Sequence, residues 1–314
     1  MPKKILFDCD PGVDDAVALL LAFAAHDDID ILGITTVAGN VDIGQTTRNA
    51  CVIREIAARP DVPIAAGAER PLRREPIVAS HFHGESGLGD LPLQPATAGA
   101  MAPSASDFLQ AQLQQSPPQS ISWVITGPMT NVADVISREP ALLQAIKEFV
   151  VMGGARSEGG NITASAEYNI FADPHAAEIV FAAGLPVHAF GLDATHQVRA
   201  TPARIERLRR IDTASAQAAA QLLAFASALP AYDRNEGSPV HDPCPIAWLI
   251  APELFEFRPC QVNVECDSAL TIGHTAVEFR PQPGKEQNVR WATKADGDGF
   301  FDLLCERLAT RPQA

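Results

Sequence analysis

The stretch KKILFDCDPGVDDAVALLLA, residues 3–22, decides the fold. An apolar run at 5–7 has the length and composition of a buried strand, and the apolar run at 13–25 predicts a core helix. Between them, Pro11-Gly12 supplies a tight turn that folds the start of the helix back towards the end of the strand. Four acidic residues crowd this buried junction, and they are Asp8, Asp10, Asp14 and Asp15. Like charges at this density repel one another unless something compensates them.

Composition limits the class of protein. The chain has 314 residues, of which 46% are hydrophobic and 20% are charged, as in globular proteins. Its formal net charge of −14 argues against nucleic acid or an anionic membrane as the main partner, since both bind basic surfaces. We find no long apolar run and no secretory signal, and the six cysteines form no CxxC pair. We therefore expect a cytoplasmic protein with reduced thiols and no transmembrane helix.

Short apolar strands alternate with amphipathic helices along much of the chain. The predicted strands are 5–7, 31–37, 64–66, 122–125, 149–152 and 187–190. The predicted helices between them are 13–25, 45–58, 107–114, 131–137 and 174–183. This alternation predicts an α/β fold, with an open, mostly parallel, doubly wound sheet and helices on both faces.

The rest of the chain departs from this alternation in three places. A helical stretch at about 202–229 and strand-like alternation at 262–290 are interpreted as C-terminal insertions. A long irregular stretch at about 69–103, rich in Pro, Gly and His, is interpreted as a lid-like loop, with a plain surface excursion as the alternative. Because we find no internal repeat and no strong linker, residues 1–314 are predicted to form a single domain.

The acidic junction predicts a cation site. Ligands bind open parallel sheets at the carboxyl ends of their strands, and the turn can aim Asp10 and Asp15 at one spot there. Helix capping explains acidic residues in the first helical turn, but it does not explain Asp8 and Asp10. Converging carboxylates indicate a hard divalent cation, Ca²⁺ or Mg²⁺. Because the spacing fails the EF-hand pattern, the site would be assembled from distant segments.

A second polar cluster supports this hypothesis. In SPVHDPCPIAWLIAPELF, residues 238–255, His241 and Asp242 stand directly before an apolar helix. Asp242 is either a cap of that helix or a ligand. Pro239 and Pro243 stiffen the turn on either side, which favours a fixed functional position.

A third cluster suits a ligand with several hydroxyls. In GGNITASAEYNIFADPHAAEIVF, residues 159–181, Asn161, Glu167 and Asn169 are bunched ahead of a helix. Amide and carboxylate groups together can donate to and accept from adjacent hydroxyls. The alternative is that these side chains bond only the backbone of their own loop.

Four motifs along the chain together resemble one family. They are DCDPGVDDA at 8–16, TGPMTNVA at 126–133, MGGA at 152–155 with GGNITASAEYNIFADPHAA at 159–177, and HDPCPIAWL at 241–249. In this order they are similar to the inosine-uridine-preferring nucleoside hydrolases, over nearly the whole chain. The resemblance implies an open α/β sheet, a bound Ca²⁺, and hydrolysis of the N-glycosidic bond of ribonucleosides in nucleoside salvage. It also implies a homo-oligomer, a tetramer or dimer.

The resemblance also implies roles for individual residues. The metal ligands would be Asp10, Asp15, the main-chain carbonyl of Thr126, and Asp242. The ribose-binding residues would be Asp14, Asn40, Met152, Asn161, Glu167 and Asn169. Asp10 would activate the attacking water, and His241 would protonate the departing base. His83 in the predicted lid and Tyr232 ahead of His241 are the candidate base-binding residues, and the purine or pyrimidine preference stays open.

Cleavage of an N-glycosidic bond explains why acidic residues, a cation and a histidine would be needed together. Breaking a ribosyl C–N bond builds positive charge on the sugar ring, which surrounding carboxylates stabilise. A cation relieves the repulsion among those carboxylates and lowers the pKa of its water. The leaving base is a poor anion and needs a proton, and histidine titrates in the useful range.

Two other functions fit parts of the sequence. FDCDPG, residues 7–12, resembles the start of the haloacid-dehalogenase-type phosphatases, with Asp8 as nucleophile and Asp10 as acid. That family has Gly where this chain has Pro11, and the resemblance leaves His241 and Asp242 unexplained. A non-catalytic, Ca²⁺-dependent nucleoside-binding protein is the second alternative, and it would be expected to lose His241 or Asp10.

Overall fold

The computed structural model of the chain describes residues 1–92, 96, 99–100, 103–284 and 286–310. Its strands, β1 to β11 in chain order, are Lys3–Cys9, Ile29–Thr36, Ile64–Ala66, Ile121–Ile125, Ile146–Met152, Val187–Phe190, Arg199–Ala200, Ser238–Pro239, Phe255–Val264, Thr275–Glu278 and Val289–Ala295. Its α-helices, α1 to α12, are Val13–Ala24, Ile43–Ile56, Ser80–His83, Ala105–Gln115, Thr130–Arg138, Tyr168–Ala172, Pro174–Phe181, Leu192–Thr195, Pro202–Arg209, Ala214–Ser227, Pro243–Ile250 and Gly297–Leu308.

One large sheet organises the described residues. Its nine strands lie in the order β10-β9-β11-β6-β5-β4-β1-β2-β3, and β7 and β8 form a separate pair. Every pairing from β11 across to β3 is parallel, whereas β9 runs antiparallel to both β10 and β11. The two edge strands do not pair with each other, so the sheet is open. The predicted open, mostly parallel α/β fold is confirmed.

Helices cover both faces of the sheet. Along β4, Trp123 and Ile125 pack into a core shared with α4, α5 and α7, whereas Val124 packs into a core shared with α1, α10 and α11. Strands that are buried on both faces are apolar almost throughout, which is why the strand runs were visible in the sequence. Helix α1 is buried along nearly its whole length. It therefore fixes the position of the aspartate-rich turn that precedes it.

The strand order reverses beside β1. The chain runs outward from β1 through β2 to β3, and then returns to β4 on the opposite side of β1. The loops that leave the carboxyl ends of β1 and β4 therefore diverge and open a crevice between them. Asp10 directly follows β1 and Thr126 directly follows β4. Both residues accordingly lie at the usual ligand position of such a sheet.

The structure also differs in detail from the sequence-based expectation. Strand β1 continues through Asp8, because the Asp8 carboxylate accepts hydrogen bonds from the Thr35 hydroxyl and from Asn131 Nδ2. Both donors bond Oδ2 and replace part of the water that the carboxylate loses inside the sheet, whereas Oδ1 has no partner among the described residues. The C-terminal strand-like segment joins the main sheet, where β11 pairs with β6, and the helical segment at 202–229 contains two helices, α9 and α10. Helix α12 was not predicted.

The predicted lid is described in part. Residues 69–92 form an irregular segment that contains α3, whereas 93–95, 97–98 and 101–102 of the predicted loop lie outside the described residues. Asn49 Nδ2 donates to the carbonyls of both Ser86 (2.8 Å) and Pro11 (2.9 Å), which ties this segment to the aspartate-rich turn. Within the described parts of the chain, we find no helix of the length and apolarity that crossing a bilayer requires.

Candidate active site

A cavity opens at the carboxyl ends of the central strands. Every residue predicted for the site lines it except Asp10 and Asp15, which are fully buried and bond to residues that do line it. The lining comes from the turn after β1, the loops after β2 and β4, the segment around α6, and the segment before α11. The topology of the sheet, rather than proximity in the sequence, brings these side chains together.

Three carboxylates converge at this cavity. Oxygen atoms of Asp14, Asp15 and Asp242 all lie within 4.8 Å of one another. Asp242 stands at the N-cap position of α11, yet its side chain makes no capping hydrogen bond. Its carboxylate is therefore available as a ligand. The family resemblance implies that Asp14 binds the sugar and Asp10 the metal, whereas this cluster of three includes Asp14 and not Asp10.

Asp10 is held firmly but keeps one oxygen free. Its Oδ2 accepts a hydrogen bond from the Asn40 main-chain N–H (2.8 Å), and its carbonyl accepts one from Asn40 Nδ2 (2.9 Å). Its Oδ1 is buried without a hydrogen-bond partner among the described residues. Such an oxygen is costly unless a cation or water fills the position. Gly39 and Gly127 allow the close packing here, since a Cβ on them would lie 2.0 and 2.6 Å from the Asp10 carboxylate.

Asp15 ties the turn after β1 to the ends of two other strands. Its Oδ1 accepts a hydrogen bond from Thr126 Oγ1 (2.8 Å), and its Oδ2 accepts from Asn40 Nδ2 (3.0 Å) and from the Gly12 N–H (3.2 Å). The Thr126 carbonyl accepts from Asn169 Nδ2 (2.7 Å), and its second lone pair stays available for another ligand. These bonds fix Asp15 and Thr126 relative to each other, as a shared ligand set requires.

Crowding and burial shift the acidity of these groups. Burial, followed by repulsion from neighbouring aspartates, raises the pKa of Asp10 and of Asp242 well above the usual range. For the same reasons the pKa of Asp15 is raised to about 7, although the bond from Thr126 opposes the shift. A divalent cation would offset both causes, and carboxylate and carbonyl oxygens are the ligands that Ca²⁺ and Mg²⁺ prefer. The residues therefore fit a hard divalent cation.

Three of the predicted ribose-binding residues, Asn161, Glu167 and Asn169, lie near the start of α6. The Glu167 carboxylate caps this helix and accepts hydrogen bonds from the N–H groups of Asn169 and Gly154, both at 2.9 Å. Burial raises the pKa of Glu167 to about 7. Asn161 Oδ1 accepts from the Tyr168 N–H (2.9 Å), which leaves its amide nitrogen for a ligand. These side chains brace their own loop and also line the cavity.

The remaining predicted residues form other parts of the wall. Met152 is the last residue of β5, and its sulfur lies 3.5 Å from Asn169 Nδ2. Tyr232 is half-buried and lines the cavity together with the apolar side chains of Phe82 and Leu223. An apolar surface with a phenol hydroxyl suits a planar heterocycle with a polar edge.

Two histidines line the cavity, each with one ring nitrogen already bonded. His83 Nδ1 accepts from the N–H of Val13 (3.0 Å), the first residue of α1, so the lid segment is attached to the acidic turn. His241 Nδ1 lies 2.8 Å from Thr195 Oγ1. Burial lowers the pKa of His241 to about 4, although the charge of Asp14 opposes the shift.

Sequence reasoning missed two residues that shape the site. The Tyr168 hydroxyl donates to the Gly39 carbonyl (2.7 Å) and so fixes the loop that carries Asn40. Thr195 is fully buried beside His241. Each contact is a single hydrogen bond between distant segments. No charge cluster or periodicity in the sequence signals such a bond.

The structure does not support the phosphatase alternative. Asp8 lies inside β1, fully buried, and does not line the cavity. The stretch KADGDGFFD at 294–302, which is similar to the late acidic motif of those phosphatases, begins at the end of β11, and three strands separate β11 from β1. At about 4.8 Å per strand, the two lie about 19 Å apart. A nucleophile in that position would reach neither the substrate nor its partners.

The chain is similar to known proteins over nearly its whole length. The model of the family described as inosine-uridine preferring nucleoside hydrolase matches residues 5–302. The chain is 43% identical to the pyrimidine-specific ribonucleoside hydrolase RihA of Shewanella baltica over 313 residues, which cover 98% of this chain and 96% of that protein. Similar solved structures include the plant nucleoside hydrolase PpNRh1, with a TM-score of 0.91 and 29% identity over 99% of this chain and 100% of that one. A purine-preferring ribonucleoside hydrolase from Gardnerella vaginalis has a TM-score of 0.90 and 29% identity over 98% of each chain.

The raised pKa values predict how pH affects the stability of cation-free protein. The folded-state pKa values of Asp8, Asp15 and Glu167 are about 7, against ordinary values of 3.8 for aspartate and 4.5 for glutamate. Between about pH 4 and about pH 7, these groups bind more protons in the folded state than in the unfolded state. Their contribution to the free energy of unfolding therefore falls as pH rises, by up to about 1.4 kcal/mol per group and pH unit.

Chemical denaturation in chelator at several pH values measures this effect. Asp15→Asn removes one of the titrating groups, so we expect its stability to fall less than that of wild type between about pH 4 and about pH 7. Asp30→Asn makes the same change at an exposed position and should follow wild type. Equal pH slopes for Asp15→Asn and wild type would contradict the raised pKa of Asp15.

Proposed function

Since the chain belongs to the inosine-uridine preferring nucleoside hydrolase family and is a ribonucleoside hydrolase, we propose that it cleaves the N-glycosidic bond with a Ca²⁺ ion at the carboxylate cluster. The proposed ligands are Asp10, Asp15, Asp242 and the main-chain carbonyl of Thr126. The observation that carries the proposal is the buried Asp10 Oδ1, which has no partner among the described residues. Ca²⁺ suits the site better than Mg²⁺ because its larger, flexible shell accepts ligands from separate segments together with substrate hydroxyls.

The cation and the side chains would have separate roles in the reaction. Bound Ca²⁺ would orient the ribose by binding its hydroxyl oxygens. As a Lewis acid it would also lower the pKa of a water molecule. Asp10, fixed by its bonds to Asn40, takes the proton of the attacking water. As the C–N bond breaks, positive charge develops on the sugar, and Asp14 and its neighbouring carboxylates stabilise that charge.

The ribose is held on the other side by neutral and acidic side chains. Asn161, Glu167 and Asn169 bind its hydroxyls, while Asn40 and Met152 complete the walls around the sugar. A hydroxyl that is missing from the substrate would leave these buried polar groups without partners. The arrangement therefore selects ribonucleosides over their 2′-deoxy analogues.

His241 would assist departure of the base. Its ring lines the cavity, and Nδ1 is occupied by Thr195, so Nε2 is the nitrogen left for the substrate. A purine or pyrimidine leaves poorly as an anion, and proton transfer from a positioned group lowers that barrier. The negative charge that grows on the base in the transition state favours this transfer.

We also propose a preference for pyrimidine ribonucleosides. The relative that is 43% identical is pyrimidine-specific by name, whereas the purine-preferring enzyme from Gardnerella vaginalis is 29% identical. In this proposal the base lies against Phe82 and Leu223, and His83 and Tyr232 bind its polar edge.

The setting of the reaction completes the proposal. Release of free base and ribose would serve nucleoside salvage in the cytoplasm, and the six unpaired cysteines suit a reducing compartment.

Residues 1–314 would act as one domain, with the segment at about 69–103 as a lid. The protomers would assemble into a homo-oligomer, a tetramer or dimer, which light scattering of the purified protein measures directly.

Asp10 should prove essential for both the cation and the reaction. Because this residue is asked to serve the cation and the water, Asp10→Ala should lose at least about 10³-fold in kcat. Elemental analysis should find one tightly held Ca²⁺ per wild-type chain and less in the variant. Asp30→Ala, at an exposed position, should retain the ion and the activity. Wild-type protein that is free of divalent ions and still turns over fully in chelator would refute the calcium proposal.

Substrate preference is measured with a panel of ribonucleosides and a reducing-sugar assay for free ribose. We expect kcat/KM on uridine to exceed that on inosine by about tenfold or more, and that on 2′-deoxyuridine by at least about 10²-fold. Faster cleavage of inosine would reject the pyrimidine preference alone. Equal rates on uridine and 2′-deoxyuridine would reject the proposed ribose contacts. If no nucleoside released ribose while calorimetry detected binding, the non-catalytic alternative would be favoured.

The leaving group separates an acid role of His241 from a structural one. On uridine, His241→Ala should lose roughly 10²–10⁴-fold in kcat, the usual contribution of positioned proton transfer. On p-nitrophenyl riboside, whose leaving group is stable as an anion, the variant should stay near wild type. Parallel losses on both substrates would instead indicate that His241 only braces the neighbouring Asp242.

A further inference from the structure

We propose that Thr275 and Asp193 are positioning residues for the sugar. They hold residues 154–157, the segment whose Gly154 N–H bonds the carboxylate of Glu167. The inference rests on the proposed role of Glu167 in binding the ribose. It assigns a function in the reaction to two side chains that lie outside the four sequence motifs.

Residues 154–157 come just after β5 and form neither a helix nor a strand. Their four main-chain N–H groups all donate to side-chain oxygens, each at 2.9 Å. In chain order the acceptors are Glu167 Oε2, Thr275 Oγ1, Asp193 Oδ2 and Asp193 Oδ1. Main-chain N–H groups in helices and strands donate to carbonyls instead. The conformation of this segment therefore depends on three side chains from other parts of the fold.

Thr275 holds one residue of the segment by both of its main-chain groups. It is the first residue of β10 and is buried. Its Oγ1 accepts a hydrogen bond from the Ala155 N–H and donates one to the Ala155 carbonyl (2.7 Å). Ala155 is also buried, so removal of the hydroxyl would leave two buried main-chain groups without this partner, which is unfavourable. We therefore expect the segment to shift when the hydroxyl is removed.

Asp193 holds the next two residues of the segment. It lies in α8, and its Oδ1 also accepts a hydrogen bond from the Ser157 hydroxyl (2.5 Å). The main-chain N–H of the preceding residue, Leu192, donates to the Gly154 carbonyl (2.9 Å). Helix α8 therefore bonds the segment at both of its ends.

Glu167 connects this segment to the substrate. Of the three residues that accept from the segment, Glu167 is the only one among the described residues that line the cavity. Its Oε2 accepts from Gly154 and its Oε1 accepts from the Asn169 N–H, so the two bonds together fix the plane of the carboxylate. A shift of Gly154 would release one of these oxygens. A misplacement of about 1 Å in a group that positions the substrate can cost about 10²-fold in rate.

Matched variants test the kinetic consequence. Thr275→Val keeps the shape and removes the hydroxyl, whereas Thr275→Ser keeps the hydroxyl. Thr46→Val is the control, because Thr46 is also fully buried and bonds one carbonyl, that of Ile43 at 3.1 Å, but does not line the cavity. We expect Thr275→Val to lose about tenfold in kcat/KM on uridine. Thr275→Ser and Thr46→Val should stay near wild type.

Deoxy analogues separate a role at the sugar from a general loss of packing. The compounds 2′-, 3′- and 5′-deoxyuridine each lack one hydroxyl, and each is measured as a substrate or, where it is not cleaved, as a competitive inhibitor. Glu167→Gln identifies the hydroxyl that Glu167 binds, because this variant no longer discriminates against the analogue that lacks it. Thr275→Val should lose discrimination against the same analogue and keep it against the other two.

A double variant adds a test of coupling. If Thr275 acts through Glu167, Thr275→Val should cost little further on uridine when position 167 is already glutamine. Equal losses on uridine and all three analogues, a Thr275→Ser variant as slow as Thr275→Val, or additive losses in the double variant would each overturn the proposal. A Glu167→Gln variant that discriminates as wild type does would overturn it too. If Thr275→Val does not fold, Asp193→Asn, which replaces one acceptor oxygen with an NH₂ group, takes its place with the same expected pattern.

Hydrogen exchange measures the hold on residues 154–157 without any substrate. We expect their amide hydrogens to exchange about tenfold or more faster in Thr275→Val than in wild type, and at the wild-type rate in Thr275→Ser. Unchanged exchange in Thr275→Val, or faster exchange with wild-type kinetics, would overturn the inference. This readout stands apart from the proposed function. If no nucleoside released ribose, the proposed reaction would fail, while exchange rates and calorimetry of uridine binding would still decide whether Thr275 positions the sugar site.

Discussion

Repulsion among carboxylates that have lost their water is the interaction on which the rest of the site depends. Asp10, Asp15 and Asp242 are all buried at the end of the sheet, and burial together with their mutual charge raises their pKa values. Hydrogen bonds from Asn40 and Thr126 hold two of them in place but do not neutralise them. The fold supplies hydrogen-bond donors and closely packed loops around these carboxylates. The positive charge that would balance them has to come from a bound cation.

The same crowding links stability to function. A buried group of negative charges is unfavourable for the empty protein, yet it is the environment in which a positively charged sugar is most strongly stabilised. Functional sites commonly retain arrangements that cost stability because the activity needs them. The glycines at positions 39 and 127 belong to this compromise, since larger residues would push the loops away from Asp10. Tight loop packing therefore serves to keep the negative charge concentrated.

The sequence predicted the fold, and it singled out most of the residues that line the cavity, because these signals are local or repeated. Apolar strand runs alternate with helices, and the acidic cluster at 8–15 lies within eight consecutive residues. What the sequence could not show were contacts between distant segments. The Tyr168 hydroxyl bonds a carbonyl 129 positions away, and Thr195 bonds His241 46 positions away. Such bonds depend on where the sheet places each loop, which is known only after the chain has folded.

The end of β1 shows the same limit on a smaller scale. The charge of Asp8 indicates the end of a strand, yet the strand continues because Thr35 and Asn131 donate to its carboxylate inside the fold. Strand propensity describes a residue type without its surroundings. Hydrogen-bond partners from other parts of the fold can therefore reverse the prediction.

The position of β11 has a consequence for the synthesis of the protein. This strand, Val289–Ala295, is the last one among the described residues, and it lies between β6 and β9 in the sheet. Until it emerges from the ribosome, β6 has an open edge whose main-chain groups lack partners, and an open edge can pair with other chains. Nascent or truncated chains that stop before residue 289 would therefore expose an adhesive strand next to an otherwise complete parallel core. Residues 289–295 thus cover a strand edge that would otherwise favour aggregation.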